Sequence, residues 1–147
     1  MRPVVIRRTR AIAVIFVTVL SLIALVGCSH ADDPLRGTRW TLSGWTLSSL
    51  DPADFTITVK FGGGRISGSS GVNSYSGPYR LGSHNAFSAG PLASTEIGGT
   101  EQATRAEGAY LTLLGEAESY ELVANRLTLL DKAGNESLIF TAASPSP

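Results

Sequence analysis

The stretch FTITVKFGGGRIS, residues 55–67, has the clearest strand pattern in the chain. Its first half alternates apolar with polar residues, a period of two that is typical of a β-strand with one buried face, and the apolar positions are Phe55, Ile57, Val59 and Phe61. Gly62-Gly63-Gly64 follows at once and predicts a hairpin connection into a second strand at Arg65-Ile66-Ser67. The stretch therefore predicts two antiparallel neighbours in one sheet.

The same alternation recurs on both sides of this hairpin. Upstream, the pairs Trp40/Leu42 and Trp45/Leu47 are out of phase by one residue, and Ser43-Gly44 between them predicts a β-bulge. Downstream, four more strands are predicted from Tyr75 to Leu81, at Tyr120/Leu122, at Leu127/Leu129 and at Leu138/Phe140. Closely spaced strands of this kind favour an antiparallel meander that curls toward a barrel.

One segment has a helical period. Apolar residues recur at spacings of three and four, which predicts an amphipathic helix over roughly Glu101 to Leu114, and they are Ala103, Ala106, Tyr110, Leu113, Leu114 and Ala117. Thr100 is a suitable N-cap, and Gly115 is placed where a left-handed residue commonly ends a helix. The predicted fold class is mainly β (α+β): an antiparallel β-barrel-like meander with one helix, after an N-terminal lipoprotein signal peptide.

The N-terminus has the layout of an export signal. A segment with four arginines precedes the apolar run from Ala11 to Val26, and the only cysteine of the chain, Cys28, follows it. Leu25-Val26-Gly27-Cys28 resembles a bacterial lipobox, which implies lipidation of the Cys28 thiol and cleavage between Gly27 and Cys28. The alternative is an uncleaved membrane helix, although the apolar run is shorter than the about 20 residues that span a bilayer comfortably.

These features predict four segments: a signal peptide over 1–27, a tether over 28–34, one domain over 35–141 and a tail over 142–147. The mature part would have 8 Lys and Arg against 12 Asp and Glu, a net charge of −4. That balance predicts no basic patch for nucleic acid or anionic lipid headgroups. We expect an envelope protein, anchored by its lipid on the extracytoplasmic side of a membrane and monomeric.

The segment from Gly68 to Tyr79, GSSGVNSYSGPY, resembles the signature of the META/HslJ-like domain. Three further pieces fit in order, at Leu35–Trp40, Leu92–Thr95 and Leu127–Leu129, so that the resemblance covers nearly the whole mature chain. It implies a small antiparallel barrel-like sheet with one helix. It also implies a link to envelope stress and exported lipoproteins, without an established catalytic activity.

This chain departs from the family at two positions. The family commonly has cysteine where this chain has Val72, and a second cysteine at about Gly99. The joint absence is expected if the two cysteines pair in relatives. No role that depends on thiol chemistry is therefore transferred to this chain.

Candidate chemistry is sparse. The two histidines, His30 and His84, lie in the tether and in a turn, and no Gly-x-Ser-x-Gly motif is present, so that we expect no hydrolase. The acidic pairs lack calcium-loop spacing, and we expect neither a metal nor another cofactor. The remaining candidate is the Gly-rich loop, whose residues either bond back to the backbone of a tight turn or form the polar rim of a binding groove: Ser69, Ser70, Asn73, Ser74 and Tyr75.

We therefore expect a non-catalytic, lipid-anchored domain that binds an envelope protein or small ligand, or supports a stress response. The alternative is a carrier of small apolar ligands inside a barrel. A carrier needs an unfilled interior, whereas the aromatic side chains suffice to fill a small one: Trp40, Trp45, Phe55, Phe61, Tyr79, Phe87 and Phe140.

Overall fold

The computed structural model describes residues 33–47 and 49–143. The predicted signal peptide, with Gly27 and Cys28, lies outside the described residues, as do His30 and the end of the tail. The described elements are β1 (Arg39–Trp45), β2 (Thr58–Gly62), β3 (Arg65–Ser69), β4 (Ser74–Leu81), β5 (Phe87–Ala89), β6 (Ala93–Ser94), α1 (Glu101–Glu116), β7 (Ser119–Val123), β8 (Arg126–Leu130) and β9 (Glu136–Ala142).

The strands form one antiparallel sheet in the order β5-β4-β3-β2-β1-β9-β8-β7, and β6 pairs with β4. The two ends of this order meet at a single bridge between Ala86 and Ser119. There the Phe87 amide donates to the Glu118 carbonyl at 2.9 Å. The sheet is therefore a nearly closed barrel, which confirms the predicted antiparallel barrel-like meander with one helix.

The predicted hairpin forms, but its first strand begins at Thr58: Phe55 lies outside β2 and is half-buried, because it ends the short 3₁₀ helix Pro52–Asp54. Ile57, Val59 and Phe61 are buried, and the chain reverses at Gly63 and Gly64, whose φ angles of 59° and 74° favour glycine. The predicted bulge is also present, as a register shift between Leu42 and Gly44 in the pairing of β1 with β9. Trp40 is buried and Trp45 packs against the core, so the bulge keeps both tryptophans on the inner face.

Helix α1 fills the barrel interior with one side. Thr100 caps its start by accepting the Ala103 amide at 3.2 Å, as predicted, and its buried residues are Ala106, Tyr110 and Leu114. The Tyr110 ring packs edge-on against Tyr75 and Phe140, with centroid distances of 5.5 and 6.4 Å. The helix thus supplies one wall of an aromatic core.

Two predictions about local structure were wrong or incomplete. Gly115 does not end the helix: α1 continues to Glu116, and Ala117 leaves it in an extended conformation with its side chain buried. Because Ala117 reaches the core directly, no left-handed residue is needed there. The short strands β5 and β6 were missed, since Phe87–Ala89 and Ala93–Ser94 are too short to show a period.

The domain is tied down at its start by Asp33. One carboxylate oxygen accepts the Leu35 and Arg36 amides at 3.0 and 3.1 Å, and the other accepts the Tyr79 hydroxyl. Leu35 is completely buried against the core. Asp33, which the sequence placed in the tether, is thus bonded to the barrel.

Candidate functional site

The candidate loop is the connection from β3 to β4, and we call Ser69–Ser74 the polar turn. It is held against β2 by close backbone contact, since a Cβ at Gly68 would lie 2.0 Å from the Thr58 carbonyl oxygen. The Ser70 amide donates to the Asn73 carbonyl at 2.8 Å, the Ser70 hydroxyl oxygen lies 2.9 Å from the same carbonyl oxygen, and Gly71 has a φ of 104°. Glycine is therefore required here by sterics and by backbone conformation.

Asn73 is the centre of the polar turn. Its side-chain oxygen accepts the Thr95 hydroxyl and the Ile97 amide, each at 2.7 Å. Its side-chain nitrogen donates to the Ile97 carbonyl at 3.2 Å and to a Glu107 carboxylate oxygen at 2.9 Å. The amide thus bonds to both backbone groups of Ile97 and fixes the loop that precedes α1.

Glu107 completes this network from the helix. Its carboxylate accepts the Ser70 hydroxyl at 2.5 Å as well as the Asn73 amide, and the Ser94 hydroxyl at 3.4 Å. Glu107 was not among the residues predicted from the sequence. The available signal was its position on α1, one residue after Ala106 and three before Tyr110, which places a carboxylate beside the buried stripe.

Tyr75 lies deeper, on β4. Its hydroxyl donates to the Thr58 carbonyl at 3.0 Å and lies 2.5 Å from the Tyr110 hydroxyl. Burial raises the pKa of Tyr75 and of Tyr110 well above their ordinary values. Both phenols therefore stay neutral at physiological pH and act as hydrogen-bonding core residues.

The five predicted loop residues are brought together, in different roles. Ser70, Asn73 and Tyr75 are buried, Ser69 is half-buried with its hydroxyl accepting the Gly71 amide at 3.3 Å, and Ser74 is exposed. Among the described residues, every buried side-chain nitrogen and oxygen has a hydrogen-bond partner. The buried polar atoms of the turn are therefore used within the fold, joining β3, β4 and α1.

The other candidate groups are dispersed. His84 is exposed in a turn with a φ of 58°. Within residues 33–47 and 49–143, no group of three His, Cys, Asp or Glu side chains is arranged to hold a metal ion. No described helix has the length and apolar character needed to cross a membrane.

Val72 and Gly99 lie in contact. A Cβ at Gly99 would stand 3.5 Å from the Val72 Cβ and 2.7 Å from its Cγ2, whereas a Cβ at Gly98 would meet nothing within 4 Å. Disulfides have Cβ atoms about 3.5 to 4.5 Å apart. This geometry confirms the proximity that the family resemblance implied, and it identifies Gly99 rather than Gly98 as the partner of Val72.

A groove of about 970 Å³ is lined mainly by residues of β1, β2 and β3 and of the turn between β7 and β8, and we call it the outer groove. Its apolar lining includes Trp40, Val59 and Leu122. Its polar lining includes two cations and several neutral groups: Arg39, Lys60, Thr38, Thr58, Ser67 and Asn125. This groove could not be predicted from the sequence, because its lining comes from segments far apart in the chain.

Comparisons with known proteins agree with this architecture. The META domain family matches residues 33–144. An NMR structure of a protein from Burkholderia xenovorans is 28% identical, with a TM-score of 0.62, and the match covers 75% of this chain and 84% of that one. A second NMR structure is 26% identical, with a TM-score of 0.54 and coverage of 73% and 90%.

A more distant match shows the fold alone. The crystal structure of a DUF4847 family protein from Bacteroides vulgatus is 12% identical, with a TM-score of 0.57, and the match covers 79% of this chain and 99% of that one. No curated protein matches the chain significantly.

Proposed function

The chain belongs to the META domain family, and on that premise we propose that it is a lipid-anchored envelope domain that acts by binding, in support of the envelope or its stress response, and not by catalysis. The proposal rests on one observation: the buried polar atoms of the polar turn are hydrogen-bonded within the protein. The buried Ser70 hydroxyl donates to Glu107, and the Ser70 amide donates to the Asn73 carbonyl. The oxygen and the nitrogen of the Asn73 side-chain amide are both bonded. A nucleophile needs an accessible side chain and a base oriented beside it.

The anchor is the second part of the proposal and rests on the lipobox at Leu25–Cys28. Two or more acyl chains hold a protein stably on a membrane, where one chain binds only reversibly. The test is metabolic labelling of the full chain with palmitate, compared with Cys28→Ala. The wild type should be labelled and processed, and the variant should remain an unlabelled precursor. Labelling of the variant would overturn the lipobox assignment.

The carrier alternative is opposed by the packing of the interior. Phe61 meets Tyr79 and Phe87 at centroid distances of 5.1 and 6.5 Å, and Tyr110 fills the space toward Phe140. These rings are almost completely buried and occupy the volume in which an apolar ligand would sit.

Native mass spectrometry of the delipidated domain, purified from its own host, separates the two functions. A binding domain with a filled core should give the mass of the polypeptide alone. A carrier should retain a ligand of constant added mass, and that result would replace our proposal by the alternative. A refolded sample from denaturant, which loses such a ligand, is the control.

A further inference from the structure

The fold gathers cations on one outer face, which the composition does not predict. In the pairing of β1 with β2, Arg39 lies directly opposite Lys60, and in that of β2 with β3, Lys60 lies opposite Ser67. Side chains on one strand share a face at every second residue, so Arg65 joins them two residues from Ser67. All three are exposed, and we call Arg39, Lys60 and Arg65 the basic face.

No acidic side chain compensates this face from its own strands. β1 to β6 contain no Asp or Glu. In the described part of the chain the ion pairs are Arg105–Glu101 on α1 and Arg126–Glu136 between β8 and β9, and neither pair includes a residue of the basic face. The net charge of −4 is therefore unevenly distributed: the charged residues of β1 to β6 are all basic, and most acidic residues follow β6 in the chain.

An uncompensated pair of this kind works against folding. Like charges directly opposite on neighbouring strands are destabilising. Arg39 and Lys60 both line the outer groove, together with the hydroxyl-bearing Thr58 and Ser67, which can donate hydrogen bonds to an anion. The arrangement is the one that an anionic partner would stabilise.

The position of the proposed lipid anchor favours the membrane surface as the source of the anion. Pro34 and Gly37 line the same groove, and Cys28 precedes Pro34 by six residues. An extended chain spans at most about 3.3 to 3.6 Å per residue, so a lipid on Cys28 holds this face within about 20 Å of the membrane. Electrostatic attraction to an anionic surface acts within about 10 Å at ordinary ionic strength, a distance that falls within this reach.

We propose that the basic face docks on anionic phospholipid headgroups, and so orients the lipid-anchored domain with β1–β3 against the membrane. This inference rests on the proposed lipid anchor for its biological setting, and the docking itself is measurable without the anchor. The polypeptide 29–147 suits the measurement, because the core residues that the structure describes all lie between Leu35 and Ala142.

The experiment is co-sedimentation of this polypeptide with vesicles of phosphatidylcholine alone or mixed with phosphatidylglycerol. Binding should require phosphatidylglycerol and weaken with salt. The double variant Arg39→Gln/Lys60→Gln should bind about thirtyfold more weakly. Each basic residue near an anionic surface contributes a factor of about five to six to binding, and the two factors multiply. Arg105→Gln/Lys132→Gln removes the same charge elsewhere and should bind like the wild type.

Each other outcome overturns the inference. Equal binding to both kinds of vesicle, or equal weakening by both double variants, would mean that no particular face docks. Competition by inorganic phosphate at constant ionic strength would indicate a site for small anions. Palmitate labelling of Cys28 is scored separately on the full chain, so that a failed anchor and a failed docking surface remain distinguishable.

Discussion

The polar turn and the basic face are two polar regions on neighbouring strands, and they differ in where their hydrogen-bonding capacity goes. In the polar turn, the Asn73 side chain bonds to Glu107 of α1, and both side chains also bond to neighbouring groups of the fold. Ser74, which is exposed, forms hydrogen bonds only through its backbone. On the face, Arg39 and Lys60 are exposed and opposed to each other.

This difference distinguishes polar groups that stabilise the fold from polar groups that are available for binding. A polar group whose bonds close within the protein stabilises it, and removing such a group leaves its buried partner unsatisfied. A charged group without a partner contributes little or negatively to stability, so its value lies in what it meets outside. Variants of the turn should therefore act on stability, and variants of the basic face on binding.

The largest loss of stability is expected at Trp40, on the inner side of β1. Trp40 follows Arg39 and points inward, is 4% exposed, and donates from its indole nitrogen to the Thr38 hydroxyl at 2.7 Å. Trp40→Ala should lower the free energy of unfolding by about 3 to 5 kcal/mol, measured by urea denaturation. A loss below about 1 kcal/mol, the range of surface substitutions, would contradict the inward placement.

The largest gain is expected where the polar turn meets the loop before α1. Val72→Cys with Gly99→Cys should oxidise spontaneously, because the two Cβ positions are 3.5 Å apart. The closed loop should add about 3 kcal/mol by limiting the unfolded chain, seen as a higher melting temperature that reductant reverses. Neither single variant should gain stability.

Val72→Cys with Gly98→Cys is the matched control for this pair. A Cβ at Gly98 meets nothing within 4 Å, so this control should stay reduced under the same conditions. Bridging through residue 98 in preference to residue 99 would show that the loop before α1 is placed one residue out of register.

Much of this architecture could be predicted from sequence, because periods of two and of three to four report buried faces directly. Trp40, the bulge at Gly44 and the cap at Thr100 all follow from local pattern. The contact of Val72 with Gly99 followed from family resemblance instead. What could not be predicted depends on long-range register.

Glu107 and the basic face are the two cases. A single glutamate beside a buried stripe looks like any helix surface residue until β3 and β4 bring Ser70 and Asn73 to it. Arg39 is far in the chain from Lys60 and Arg65, and only the pairing of β1 with β2 makes it their neighbour. The net charge of a chain contains no information on where its charged residues lie in the fold.

A smaller loss is expected at the centre of the polar turn. Asn73→Ala removes four hydrogen bonds, one of them to a carboxylate, and should lower the free energy of unfolding by about 2 to 3 kcal/mol. Ser74→Ala is the control, because the described contacts of Ser74 are through its backbone. Native-state hydrogen exchange should show the loss at Thr95 to Ile97. Equal effects of the two substitutions would mean that the Asn73 network is not a source of stability.

The smallest effect, and the one of opposite sign, is expected on the basic face itself. Arg39→Gln/Lys60→Gln removes a directly opposed like-charge pair and should raise the free energy of unfolding by about 0.2 to 1 kcal/mol. Arg105→Gln, which breaks an exposed pair with Glu101 one helical turn away, should lower it by about 0.3 to 0.5 kcal/mol. Both effects are electrostatic and should shrink in urea melts at 1 M salt, where the screening length is about 3 Å. A loss of stability in the double variant would show that Arg39 and Lys60 have partners within the domain. The basic face would then be another internally satisfied region like the polar turn, and its charges would no longer require an external anion.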